Sequence, residues 1–211
     1  MTTRRPLASR DAGIFQRLAA WLARTSVTPN QISGSSVVFA ALALAAFWTS
    51  ASAGILCGAA LLLAAAVCVQ LRLLANLLDG MVAVEGGKST PDGAYWNEVP
   101  DRAADLLILA GAGLAVGNLT LGLVAGALAV LTAYVREFAR AEGAPPDYCG
   151  PMAKPHRMAA VTLGTVLATV ELALFETRIA LLVALWVVVL GSGVTVLRRS
   201  VRALAYLRGN E

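Results

Sequence analysis

Between Arg24 and Arg72 the chain contains no charged residue. A bilayer core takes about 20 apolar residues per helical pass, so this stretch holds two passes, divided at the small and polar segment Trp48-Thr-Ser-Ala-Ser-Ala-Gly54. The rest of the 211-residue chain agrees, with 58% hydrophobic residues, 14% charged residues and a mean hydropathy of +0.70. Such values lie outside the soluble range and exclude an ordinary water-soluble domain. The first pass is expected to be retained: Ala51-Ser-Ala53 resembles a signal-peptidase site, but a long polar segment precedes the run, unlike a secretory leader.

The same length test places further passes. Leu106 to Val135 is uncharged and breaks at Gly117-Asn118, and Met158 to Phe175 and Ile179 to Leu197 supply the last two. The expected fold is all-α, a polytopic membrane protein of six transmembrane helices. The third pass is long enough only if its helix starts near Asn97, with Pro100 tolerated in the first turn; Asp101 and Asp105 then lie on the helix. With that topology only Arg178 of the 17 Lys and Arg falls on one side, and the other 16, from Arg4 to Arg208, on the opposite side. The positive-inside rule makes the richer side cytoplasmic, with both termini, as in a bacterial-type inner membrane. The net charge of +4 is thus topological. A nucleic-acid partner is not expected, and anionic lipid headgroups are the natural partners of these residues.

Residues 11–24 carry Ile14, Phe15, Leu18, Trp21 and Leu22 on one helical face, the pattern of an interfacial amphipathic helix that ends at Thr28-Pro29-Asn30. The chain divides into an amphipathic N-terminal segment, residues 1–26, and a membrane domain, residues 27–211. Cys57, Cys68 and Cys149 show neither metal spacing nor a disulfide framework. A Gly- and Pro-rich cytoplasmic loop runs from Gly80 to about Tyr95, and a second from about Arg140 to Arg157.

Acidic residues cluster at the cytoplasmic ends of two passes, where ionisable groups are retained only if they pair, line a cavity or bind an ion. Asn76 and Asp79 are three apart, and Asn97, Asp101 and Asp105 four apart, so each set shares a helical face. The loop between them returns the chain to the same depth. Clustered oxygen ligands suit Mg²⁺ or Mn²⁺, and two such ions could clamp the oxygens of a phosphoryl substitution. The competing reading is that these carboxylates only mark helix ends.

Asp79-Gly80-Met-Val-Ala83, Gly93-Ala-Tyr-Trp-Asn97 and Asp101 together resemble the signature of the CDP-alcohol phosphatidyltransferases, Asp-x-x-Asp-Gly-x-x-Ala-Arg followed by Gly-x-x-x-Asp-x-x-x-Asp. The resemblance implies a six-helix enzyme of phospholipid biosynthesis, dependent on Mg²⁺ or Mn²⁺. In it an alcohol hydroxyl attacks the lipid-linked phosphate of a CDP-alcohol, usually CDP-diacylglycerol, and CMP is released. It further implies metal ligation by Asp79, Asn97 and Asp101, with Asp101 as general base; Asn76 and Asp105 join the expected metal ligands, and Asp79 and Asp105 the expected catalytic group. Gly80, Ala83 and Gly93, with Asn76 and Asn97, would lie against the cytidine nucleotide. A homodimer is left open as a partner.

The chain departs from that signature at Asn76, Asn97 and Val84, which stand where Asp, Asp and Arg are usual. Asn ligates only through a neutral amide oxygen, so each exchange removes a charge from the metal site. The pattern is similar to a branch in which Asn-x-x-Asp-Gly pairs with Gly-x-x-x-Asn-Glu. Asp105 offers a second register with Asp101, and Glu98 or Asp105 could restore the lost charge. Arg136, Arg140, Lys154 and Arg157 are the candidate site for an anionic acceptor or the lipid phosphate, against a purely topological role. Glu171 is expected to be interfacial or paired. Two rival functions stay open: a non-catalytic nucleotide- or lipid-binding homologue, and an ion-coupled transporter using Asp79, Asp101 and Asp105 as a relay.

Overall fold

Thr28-Pro29-Asn30-Gln31 shows how local sequence starts a membrane helix. The Thr28 hydroxyl accepts from the Gln31 amide at 3.2 Å while the Gln31 side chain accepts from the Thr28 amide at 3.0 Å, a reciprocal cap, and Pro29 occupies the first helical position, where no N–H is needed. The computed structural model describes residues 13–209. Among these, seven helices form and no strand: α1 (Gly13–Ala23), α2 (Pro29–Ser50), α3 (Ile55–Glu85), α4 (Gly93–Ala115), α5 (Leu119–Ala141), α6 (Lys154–Phe175) and α7 (Ile179–Gly209). Five of them, α2, α3, α5, α6 and α7, are long and apolar enough to cross a membrane. The expectation of an all-α polytopic membrane protein is borne out at that level.

α4 buries nearly half of its residues. It packs against α2 and α5, and its second half buries Ile108, Leu109, Ala110, Gly111, Ala112, Gly113 and Ala115. Small residues allow this close approach, which drives helix association where lipid offers no hydrophobic contrast. A Cβ added at Gly111 would lie 2.8 Å from Leu44 Cα on α2, and one at Gly122 on α5 would lie 2.4 Å from the Leu109 carbonyl oxygen. Several buried hydroxyls are satisfied within their own helices: Ser36 donates to Ser33, Ser50 to Phe47 and Thr165 to Val161.

The end of the bundle opposite the acidic cluster is tied by Arg178. Its guanidinium donates to the Ala115 and Ser50 carbonyls, placing a cation at the C-termini of α4 and α2, where the helix dipoles favour one. Glu171, at the same end, accepts from the Ala180 amide at 2.9 Å and caps α7, so it is paired within the bundle.

Three expectations are corrected. α4 begins at Gly93, about one turn before Asn97, so Pro100 lies inside the helix. Asp92 is the cause: its backbone carbonyl accepts from the Trp96 amide at 3.2 Å and its carboxylate from the Trp96 indole at 2.9 Å, fixing the first turn early. α6 begins at Lys154, so Lys154, His156 and Arg157 are on its first turn. α7 continues past Leu197 to Gly209. In α1, Phe15, Leu18 and Leu22 turn with Ala19 toward Ala75, Leu78 and Val82 of α3, whereas Ile14 and Trp21 of the same sequence stripe are exposed. Residues 11 and 12 of the amphipathic stretch, and Arg4, Arg5 and Arg10, lie outside the described residues.

Candidate active site

The acidic cluster is built at one end of the bundle, where the C-terminal half of α3 faces the first half of α4 and the first turn of α6. Residues 72, 76 and 79 follow one another at i, i+4 and i+7 along α3, and residues 101 and 105 at i and i+4 along α4, so each helix presents a single stripe. The two stripes meet directly. The Asn76 amide nitrogen donates to Asp101 Oδ1, and Lys154 Nζ from α6 donates to Asp101 Oδ2. Asp101 is 6% exposed and Asp79 4% exposed, so both carboxylates are nearly withdrawn from solvent.

Asp79 lies within electrostatic reach of Asp101 and Lys154. Its Oδ2 accepts from the Ser33 hydroxyl of α2 at 2.5 Å and the Gly80 backbone also bears on the carboxylate, whereas its Oδ1 is buried with no hydrogen bond of regular geometry. An unpartnered buried carboxylate oxygen is costly, and a bound cation is the group that most directly satisfies it. Together with Asp101 and the amide oxygen of Asn76, it supplies the hard oxygen donors that Mg²⁺ or Mn²⁺ prefers. Among the described residues no three His, Cys, Asp or Glu side chains are grouped to hold a metal.

Asp105 is differently engaged. It is fully buried, and Arg72 holds its Oδ1 at 2.6 Å while Arg157 holds its Oδ2 at 2.8 Å. Arg72 also reaches the Asp101 carboxylate at 3.4 Å and the Asp101 carbonyl at 3.2 Å. Arg157 is fixed in turn by donating to the Thr132 hydroxyl at 3.2 Å and to the Met152 carbonyl at 3.0 Å. Buried charges persist only when paired and hydrogen-bonded, and this network meets that requirement on both sides of Asp105.

The remaining candidates separate into two groups. Asn97 is exposed, and among the described residues no hydrogen bond joins it to Asn76, Asp79 or Asp101. Gly80 and Ala83 continue the last turns of α3, and the Ser89 hydroxyl donates to the Ala83 carbonyl at 2.8 Å, folding the loop back over them. Gly93 opens α4, its amide bonded to the Thr90 carbonyl at 3.0 Å. Glu98 pairs with Arg102 and, at 2.8 Å, with Arg136. Arg136 also binds Glu137 at 2.8 Å, and its guanidinium sits 5.5 Å from the Tyr148 ring centroid. Arg140 is exposed and meets Glu137 at 3.4 Å. Lys154 and Arg157 therefore converge on the acidic cluster, whereas Arg136 and Arg140 are engaged beside it. His156 is exposed, its ring nitrogen 3.0 Å from the Pro151 carbonyl oxygen.

The loop before α4 is tied to the start of α2. Asn30 donates to Thr90 Oγ1 at 3.4 Å and to Asp92 Oδ2 at 3.3 Å, and Lys88 Nζ donates to the Thr25 carbonyl at 2.6 Å. Hydrogen bonds to Asp92, first from the Thr90 side chain and then from Trp96 and Asn30, hold its carboxyl below the usual carboxylate range. In the sequence Arg72 reads only as a topological charge, and Ser33 and Thr132 do not stand out. The helical spacing of Arg72 to Asn76 and Asp79 was the available signal for the first; nothing local marks the other two.

No family model matches the sequence. Phosphatidylinositol phosphate synthase of Mycolicibacterium smegmatis is 34% identical over 141 residues, a match spanning 64% of this chain and 62% of that relative's length. Crystal structures of Mycobacterium tuberculosis phosphatidylinositol phosphate synthase share the fold. With CDP-DAG bound, the match has a TM-score of 0.73 at 25% identity, covering 89% of this chain and 92% of the other. In complex with manganese and citrate it has a TM-score of 0.75 at 24% identity, covering 90% and 88%. The resemblance read from residues 76 to 101 is borne out by these matches.

Proposed function

We propose that this chain, similar in sequence motif and in fold to the CDP-alcohol phosphatidyltransferases, is an integral membrane phosphotransferase of phospholipid biosynthesis. It would move a phosphatidyl or related phospho-alcohol group from a CDP-linked donor such as CDP-diacylglycerol to an alcohol acceptor, with release of CMP. The observation that carries this reading is the contact between Asn76 and Asp101 beside the unpartnered Asp79 oxygen. It joins the two halves of the motif in one buried site.

In the reaction the acceptor hydroxyl oxygen attacks the lipid-linked phosphorus. A new P–O bond forms as the bond to the bridging pyrophosphate oxygen breaks, and that oxygen leaves on CMP with the electron pair. Asp101 takes the hydroxyl proton as general base. Asp79, Asp101 and the Asn76 amide oxygen would hold a Mg²⁺ or Mn²⁺ ion, which would supply Lewis-acid neutralisation of phosphate charge. Gly80, Ala83 and Gly93 would let the cytidine nucleotide approach the backbone closely, with Asn97 at the open edge. Lys154 is the best-placed cation for an anionic acceptor, because it already meets Asp101 from the α6 side.

The finer topology belongs to the same proposal. α4 has 23 residues, about 34 Å of helix, so it serves as a sixth span despite its charged first half. α1 lies at the membrane interface, with Ile14 and Trp21 toward lipid. Residues 1–26 form the N-terminal segment and 27–211 the membrane domain. The acidic cluster and both termini face the cytoplasm across a bacterial-type inner membrane. CMP release by purified protein from CDP-diacylglycerol with Mn²⁺, against a panel of neutral and phosphorylated alcohols, tests the activity. Release with at least one acceptor is expected, and none with any of them would overturn it.

A further inference from the structure

We infer that this chain holds one divalent ion where a two-metal centre would hold two, and that the guanidinium of Arg72 stands as a fixed cation in the second ion's role. The inference rests on the phosphotransfer reading but is tested apart from it.

Three observations carry it. First, two of the three carboxylates are already met by the protein's own cations, Asp101 by Arg72 and Lys154 and Asp105 by Arg72 and Arg157, which leaves Asp79 as the member of the cluster without an ion pair among the described residues. One divalent ion would be met by Asp79, whose Oδ1 has no hydrogen bond of regular geometry, whereas a second would add positive charge to a buried site with no acidic residue left to meet it. Second, the ligands that would bridge a second ion are missing. Asn76 and Asn97 contribute no charge, Asn97 is exposed, and both oxygens of Asp105 are taken by arginines. Glu98 is spent on Arg102 and Arg136. Third, Arg72 is fully buried and spans Asp101 and Asp105, yet its Nε and Nη1 have no partner. Spare guanidinium donors beside the reacting carboxylate suit an anionic phosphate oxygen, which arginine binds in a forked geometry. Being covalently fixed, this cation costs no ion binding and needs no acidic ligands beyond Asp101 and Asp105.

Arg72 and a metal on Asp101 share one carboxylate, and this coupling supplies the test. Mn²⁺ binding to the purified full-length protein, without substrate, is measured by equilibrium dialysis with electron paramagnetic resonance of the free ion. One Mn²⁺ per wild-type chain is expected; two, or none, overturns the inference. In Arg72→Met the competing cation is gone, so Mn²⁺ should bind about ten-fold more tightly or a second ion should appear. Unchanged affinity and stoichiometry in that variant overturns the role of Arg72. Arg72→Lys keeps a cation at this position and is expected to hold one Mn²⁺ with near-wild-type affinity. If Arg72→Met does not fold, the wild-type count and Arg72→Lys decide, and a second ion in Arg72→Lys is contradictory. A wild type that binds one Mn²⁺ but releases no CMP supports the metal count and defeats the phosphotransfer reading instead.

Discussion

Replacing Asp79 or Asp101 by alanine is expected to lower CMP release by about 10² to 10⁴-fold, the range for losing a positioned acid–base or charge-stabilising group, with little change in the amount of protein in the membrane. Near-normal turnover of Asp101→Ala, followed by nucleotide assay, would remove it from the chemistry. Asp105 should behave differently although it lies one turn away. Its carboxylate is wholly occupied by Arg72 and Arg157, so Asp105→Ala leaves buried Arg157 without its counter-ion and Arg72 with only its longer pair to Asp101. A loss of about 3–5 kcal/mol is expected, seen as a fall in the thermal midpoint in detergent. An Asp105→Ala protein as stable as wild type but unable to bind Mn²⁺ would place Asp105 among the metal ligands and favour the alternative register. At this scale the sequence was partly legible. Asp79 and Asp101 could be named from motif order and helical spacing. The roles of Arg72, Ser33 and Thr132 could not, because their partners lie far along the chain: Arg72 and Asp105 are separated by 33 residues and Ser33 and Asp79 by 46.

At the scale of elements, the helices that local chemistry defines are those that could be read in advance. The break at residues 48–54, the cap at Thr28 and the turn at Gly117-Asn118 fall where apolar runs meet capping or small residues; Asn118 accepts from the Leu121 amide at 3.0 Å to start α5. The start of α4 was misplaced because Asp92 fixes Trp96 by a side-chain contact that periodicity does not report. The α4–α5 crossing is set by glycine. At Gly122 any Cβ would collide with the Leu109 carbonyl and with Gly113, so Gly122→Val should cost about 1–3 kcal/mol and lower the thermal midpoint; an unchanged midpoint would show that the helices can separate freely. On α6 and α5 the cations should separate functionally. Lys154→Ala is expected to raise the apparent KM of an anionic acceptor about ten-fold, while Arg140→Ala, whose side chain meets only Glu137 at the surface, should change it by less than about two-fold. Equal effects of the two changes would contradict the assignment of Lys154 to the acceptor side.

For the whole molecule, a charge-poor bundle sealed by small residues gathers most ionisable groups of the described residues at one end, and Arg178 and Glu171 tie down the other. That polarity suits a reaction between a lipid-anchored donor and an acceptor reached from one side of the membrane. The one-ended polarity also weighs against a transport relay, and the Ser50 and Thr165 hydroxyls deeper in the bundle are engaged by their own helix carbonyls. The most direct test is CMP release from CDP-diacylglycerol by purified wild type and Asp79→Ala in Mn²⁺, each before and after chelation, with the acceptor panel present. Release by wild type that disappears on chelation and is absent from Asp79→Ala is predicted. A wild type inactive with every acceptor, or release that survives chelation and the loss of Asp79, would contradict a metal-dependent phosphotransferase built on this site.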